Sequence, residues 1–98
     1  MVLTEIIETE HGAALGIRIA IGDSRTPLLI IRAEKGYLAS DYLNKEKIER
    51  EGDAACIVRN ARDFKDMMEK RVSWVSSAAR KLGIKSRMRG HEALDLMV

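Results

Sequence analysis

Two short places carry the polar residues best suited to chemistry. Ser40-Asp41 sets a hydroxyl beside a carboxylate, and His91-Glu92 sets an imidazole beside one. A serine becomes a nucleophile only with a base in hydrogen-bond reach, and an imidazole next to a carboxylate can serve as a general acid and base. Together they would suit a small-molecule enzyme with a cleft between subunits. Each pair also has a plainer explanation. Neighbouring residues on a strand point to opposite faces, so Asp41 is poorly placed to activate Ser40, and formation of a turn accounts for both. A Glu in the first turn of a surface helix, where the macrodipole favours a negative charge, accounts for Glu92 and its neighbour. No catalytic constellation is recognisable.

Metal and cofactor chemistry finds no pattern. Cys56 stands alone within Ala54-Ala55-Cys56-Ile57-Val58, where a thiol acts as a small buried hydrophobe, and His11 and His91 lie far apart, so no metal-ligand spacing occurs. Gly12, Gly16 and Gly22 match no phosphate-cradling loop. Neither a metal nor a cofactor is expected.

The chain has 98 residues, of which 46% are hydrophobic and 33% charged. That is enough for one domain and too apolar for a disordered polymer. No stretch approaches the roughly 18 apolar residues of a membrane span, and Glu5, Glu8 and Glu10 spoil a signal peptide. A cytoplasmic protein is expected. Gln is absent and Asn occurs only at 44 and 60, a balance that hints at a thermophilic source, although the five methionines count against it.

The net charge of +2 conceals an asymmetry: residues 1–58 carry seven Lys/Arg against ten Asp/Glu, whereas residues 59–98 carry ten against five. A basic region from 59 to 90 can be a nucleic-acid footprint. Solvated helix faces, or an acidic surface of another subunit, explain it better, and Tyr37, Tyr42, Phe64 and Trp74 are the only aromatic platforms for stacking bases.

The elements that must position these groups begin with strands. In Ala13–Gly22 the odd positions 15, 17, 19 and 21 are branched aliphatics, a period-two pattern that sends one face to a core. Val2–Thr9 alternates more weakly, and Glu10-His11-Gly12 between them suits a hairpin reversal. Gly22–Pro27 is the next turn cluster, and Leu28–Ala33, apolar on both faces, reads as a central strand. The even face of the second strand, with Ala14, Gly16 and Ala20 around Arg18, is smooth. Two readings stand: it meets another subunit, or it lies beneath the chain's own helix. The first makes Leu15, Gly16, Arg18 and Ala20 interface residues, together with Trp74, which sits off the apolar stripe of the later helices.

Tyr37–Leu43 reads as a short strand entering a turn. Asn44 caps a charged helix over Lys45–Glu51, ended by Gly52 and anchored by Ile48 alone, which packs lightly. Asp53–Asn60 reads as a strand. Phe64, Met68, Val72, Val75, Ala79 and Leu82 then form one apolar stripe, on one long helix or two short ones, stopped by Gly83. Ile84–Met88 suits a returning strand, and Gly90–Met97 a last helix with Ala93, Leu94 and Met97 inward.

Four segments in register, Gly36–Asn44, Gly52–Val58, Ala78–Lys85 and Met88–Leu94, resemble the YunC-like proteins of bacteria and archaea over about residues 28–97. The resemblance implies an α+β domain of unknown function whose N-terminal β region builds tetramers. Ser40-Asp41 stands where the family pattern has Cys-Gly, so thiol chemistry does not carry over. Arg87-Met88-Arg89-Gly90 replaces Gly-Met-Ser-Gly, which removes a serine cap that would pair with Glu92. Two cations at a helix start call for an anion or another subunit, which makes Arg87 and Arg89, with Tyr37, candidates for touching a ligand or anion. A break expected in the family at Arg71 favours two helices, Arg62–Glu69 and Val72–Leu82.

These readings combine into an α+β fold in one domain, 1–98. An N-terminal antiparallel hairpin and sheet (1–33) is followed by strand and helix units (34–98), with the helices packed on one face of a mixed sheet. The expected activity is non-enzymatic: a homo-oligomer, with a tetramer favoured, that binds an unknown small ligand or protein, with nucleic acid and membrane set aside.

Overall fold

The computed structural model describes residues 2–22 and 26–98. Six strands form one sheet in chain order: β1 (Val2–Glu8), β2 (Ala13–Ile19), β3 (Leu28–Arg32), β4 (Tyr37–Ser40), β5 (Ala55–Val58) and β6 (Trp74–Val75). All neighbours are antiparallel except β4 and β5, which run parallel with Tyr37 opposite Ala55 and Ser40 opposite Val58. That parallel pair requires a crossover, and helix α1 (Lys45–Glu51) supplies it. The turn expected at Gly22–Pro27 has its residues 23–25 outside the described residues.

The hairpin is closed by Thr9, whose N–H and hydroxyl both donate to the Gly12 carbonyl, at 2.7 and 3.0 Å. Helix α1 starts where the sequence places it. The Asn44 side chain accepts from the N–H groups of Glu46 and Lys47, and Gly52 ends the helix with φ 76°, a left-handed conformation open to glycine. On the sheet face carrying Leu29, Ile31, Leu38, Cys56 and Val58, all fully buried, pack α2 (Phe64–Glu69), α3 (Ser77–Lys81) and α4 (Gly90–Asp95) through Phe64, Met67, Ala79, Ala93 and Leu94. On the opposite face a smaller cluster joins Ile48 of α1 to Ala39, Ala55 and Ile57.

Two expected elements differ. Residues 72–75 are extended rather than helical: Val72 N–H donates to Met88 O, Ser73 N–H to Ile57 O, and Trp74–Val75 pair with β5. Helix α3 begins only after Ser76, whose hydroxyl accepts from Ala79 N–H. The apolar stripe from Phe64 to Leu82 therefore belongs to α2, an edge strand and α3, which share one core. Ile84–Met88 forms no strand; an isolated bridge between Arg71 and Arg89 is all that pairs there.

The faces of β2 are arranged by Phe64. Its ring lies over Gly16, so close that a Cβ there would sit 2.8 Å from Cζ, and Ala14 is buried beside it. The smooth face is therefore covered by the chain's own helix at Ala14 and Gly16, both buried, while Arg18 is half-buried and Ala20 exposed. The aliphatic face of β2 is the open one. Val2 and Ile6 of β1 are 63% and 66% exposed and Leu15 is 39% exposed, while Ile17, Ile19, Leu28 and Ile30 beside them are half-buried. Helix α1 is seven residues long and packs over β4 and β5, with Ile30 of β3 at the margin of its cluster, so that β1 and the facing part of β2 are the most open on that side.

Candidate functional site

The open face deepens into a groove where β2 and β3 meet the segment leading into α1. Leu15, Ile17 and Ile30 form its floor and Leu43 a wall, and Arg32, Tyr37 and Asp53 make one end polar, around a volume of about 650 Å³. Cross-strand register builds this set: Leu15 faces Arg32, Ile17 faces Ile30, and Arg32 faces Tyr37, so one sheet face carries all five. Asp53 arrives through the parallel pairing, with Tyr37 N–H donating to Ala54 O at 3.0 Å. The close approach there leaves no room for a side chain at Gly36, where a Cβ would collide with the Ala54 carbonyl.

At the polar end the Tyr37 hydroxyl donates to Asp53 Oδ2 at 2.7 Å. Burial pushes the phenol up to about 12, with the hydrogen bond to the Asp53 carboxylate and its negative charge adding to the rise and the Arg32 charge opposing it. A phenol held so high is a poor proton donor at neutral pH. The groove thus has an apolar floor of aliphatics, with the Tyr37–Asp53 hydrogen bond and the Arg32 cation at one end.

The other polar residues singled out by sequence do not assemble. Ser40 is 1% exposed and its Oγ accepts from Leu29 N–H at 3.1 Å, closing the end of the β3–β4 pair inside the core. Asp41 is exposed on the following turn. His91 and Glu92 are exposed at the start of α4, where Glu92 Oε1 accepts from Arg89 N–H at 2.9 Å. Among the described residues, no hydrogen bond or ion pair joins Ser40 or Asp41 to His91 or Glu92.

Arg89 solves the missing serine cap differently. Its guanidinium donates to Glu69 O at the end of α2, so a carbonyl at a helix C-terminus receives the cation. Arg71 likewise donates to the carbonyl of Arg87, which holds φ 72°. A second surface hollow along α2, about 560 Å³, is lined by charges that already serve one another: Lys70 Nζ lies 3.3 Å from Asp66 Oδ2 and donates to Asn60 O, and Asp66 accepts from Arg62 N–H. That backbone N–H, and then Lys70, hold the Asp66 carboxyl below its ordinary range.

Of the interface candidates, Leu15 lies in the open face, Arg18 is half-buried on the helix side beside Phe64, Ala20 is exposed, and Trp74 is half-buried against the small cluster on edge strand β6. Sequence reasoning missed Arg32 and Asp53. The signal for Asp53 was its place just before β5, legible only once β4 and β5 are known to run parallel. Away from the groove, Glu10, His11 and Asp95 bring their ligand atoms within 4.8 Å of one another.

The chain belongs to the family described as a domain of unknown function (DUF1805), whose profile matches residues 41–97. It is similar over its whole length to the crystal structure of a protein of unknown function, TA1206, from Thermoplasma acidophilum, with 28% identity, a TM-score of 0.92, and coverage of 100% of this chain and 94% of that one. No functionally curated protein matches it. Among the described residues, no helix is long and apolar enough to cross a membrane.

Proposed function

We propose that the protein is a non-enzymatic, cytoplasmic homo-oligomer, a tetramer of the YunC-like type, in which copies meet through the open face of β1–β3 and the groove beside it becomes a cleft that binds a small ligand. The carrying observation is the row of exposed aliphatics, Val2, Ile6 and Leu15 at 63%, 66% and 39%, continued by half-buried Ile17, Ile19 and Ile30. A contiguous apolar surface of this kind is costly in water and is ordinarily covered by a partner. A second copy is the occupant that fits. The face is aliphatic, so a second copy can match it about a two-fold axis, and β1 beside it is the edge strand of the sheet.

Catalysis is left aside because the one hydroxyl beside a carboxylate in the groove, Tyr37 on Asp53, is a phenol held at about 12, and the Ser40 hydroxyl is spent on Leu29. Light scattering after size exclusion at micromolar concentration tests the proposal. The expected mass is four times that of one 11.0 kDa chain. A monomer overturns the assembly.

A further inference from the structure

We propose that Glu10, His11 and Asp95 form a binding site for one divalent transition-metal ion of the zinc class, linking the β1–β2 turn to the end of α4. The three residues come from opposite ends of the chain, and the fold brings one ligand atom of each within 4.8 Å of the others. His11 Nδ1 and Asp95 Oδ1 are 3.7 Å apart. That is too long for a hydrogen bond, yet close to the roughly 3.3–3.5 Å edge between two ligands bonded at about 2.0–2.1 Å to a tetrahedral zinc. Glu10 is exposed, and its long side chain is free to close the remaining gap.

A second, independent observation comes from Asp95 itself. Its Oδ1 is shut off from solvent and receives no hydrogen bond. Buried carboxylate oxygens ordinarily have donors, and a bound ion is one way to satisfy an oxygen that has none, here on a side chain 24% exposed and facing His11. It points toward the imidazole nitrogen, which is itself an electron-pair donor when neutral. In the tautomer protonated at Nε2, the Nδ1 and Oδ1 lone pairs, 3.7 Å apart, are both available to a metal placed between them.

The backbone holds both sides in place. Thr9 locks the turn through two bonds to Gly12 O, and Gly12 packs on Val98, just past α4, so closely that a Cβ would lie 3.1 Å from Val98 Cβ. One imidazole with two carboxylates matches zinc, iron, cobalt or nickel better than magnesium or calcium, which prefer all-oxygen sets. Three protein ligands leave a fourth position to water.

Titration of the metal-stripped protein with Zn²⁺, and with Co²⁺ as a spectroscopic probe, tests the site. The expected result is one equivalent bound per chain, with His11 imidazole resonances perturbed and the thermal midpoint raised, because an ion that binds only the folded chain stabilises it. His11→Ala and Asp95→Asn each weaken binding at least tenfold, while His91→Ala leaves it unchanged. His11 has 68% of its side chain exposed, so His11→Ala keeps the test sound even if Asp95→Asn unfolds the chain. Absence of saturable binding, or equal binding by His11→Ala and the unaltered protein, overturns the proposal.

Discussion

The ring of Phe64 rests on Gly16, with Cζ and Cε1 2.8 and 2.9 Å from where a Cβ would stand, and Ile7 Cδ1 closes the same space from β1. This contact joins α2 to the N-terminal hairpin and decides which face of that hairpin is dry. A methyl group at 16 forces ring or strand to move. Gly16→Ala is expected to destabilise the fold by about 1–3 kcal/mol, the usual range for overpacking. The loss is read from the urea midpoint at fixed protein concentration; an unchanged midpoint contradicts the packing.

Ser76 is buried and its hydroxyl has three partners. It donates to Asp53 O at 2.7 Å and accepts from Ala55 N–H at 2.9 Å and Ala79 N–H at 3.2 Å. One hydroxyl thus holds the start of β5, caps α3 and fixes the residue that anchors Tyr37. Ser76→Ala leaves two donors without their acceptor and is expected to cost about 1–3 kcal/mol in chemical denaturation. Ser77→Ala, on the exposed neighbour, should cost less.

The Tyr37 phenol gives a pH signature. Its folded value of about 12 lies above the ordinary 10.0, so the folded chain keeps a proton that the unfolded chain has lost. The associated stability is complete below pH 10 and disappears as pH rises toward 12. Asp53→Asn removes the charge and weakens the hydrogen bond, and should lower the titration of Tyr37 toward 10, as followed by tyrosinate absorbance with Tyr42→Phe as background. No movement would show that burial alone holds the phenol up.

Helix α1 is fastened to α3 by one side chain. Glu49 Oε1 accepts from Ser77 N–H at 2.7 Å and Oε2 from Ser77 Oγ at 2.6 Å, and these bonds hold its carboxyl below 4.5. For a lowered carboxyl the contribution is present above the unfolded value and is lost as pH falls through the folded one. The protection factors of the amides in Lys45–Glu51, taken against the intrinsic exchange rate at each pH, should therefore fall in acid, and Glu49→Gln should remove that acid dependence.

The open face makes the association prediction specific. Ile6→Lys and Leu15→Lys place charges on exposed positions of β1 and β2 and should yield well-folded monomers by light scattering, with unchanged far-ultraviolet circular dichroism. An oligomer that survives both substitutions has its contacts elsewhere.

Strands β1–β3 and helix α1 were legible because their signals are local: alternation in Ala13–Ile19, a double-sided apolar run in Leu28–Arg32, and the Asn44 and Gly52 caps. Residues 72–75 were not, since Val72 and Val75 keep helical spacing with Ala79 while Trp74–Val75 pair with β5, and only Ser77–Lys81 of the expected helix is helical. Periodicity reports which residues reach a core, not whether one element carries them there. The same limit left the small-residue face of β2 with two readings, and only the distant Phe64 chooses between them at Gly16. Tyr37 was visible as a candidate, but its partner Asp53 depends on a parallel pairing that no local pattern encodes.

Strand order equal to chain order has a consequence for synthesis. The meander β1 to β4 can zip through short closures as it leaves the ribosome, but the Phe64 that seals one of its faces and the α4 residues behind it emerge last. Until then the nascent sheet is greasy on both sides. Because the apolar residues of the open face are translated before Phe64, the self-association proposed for that face would set assembly during translation in direct competition with aggregation.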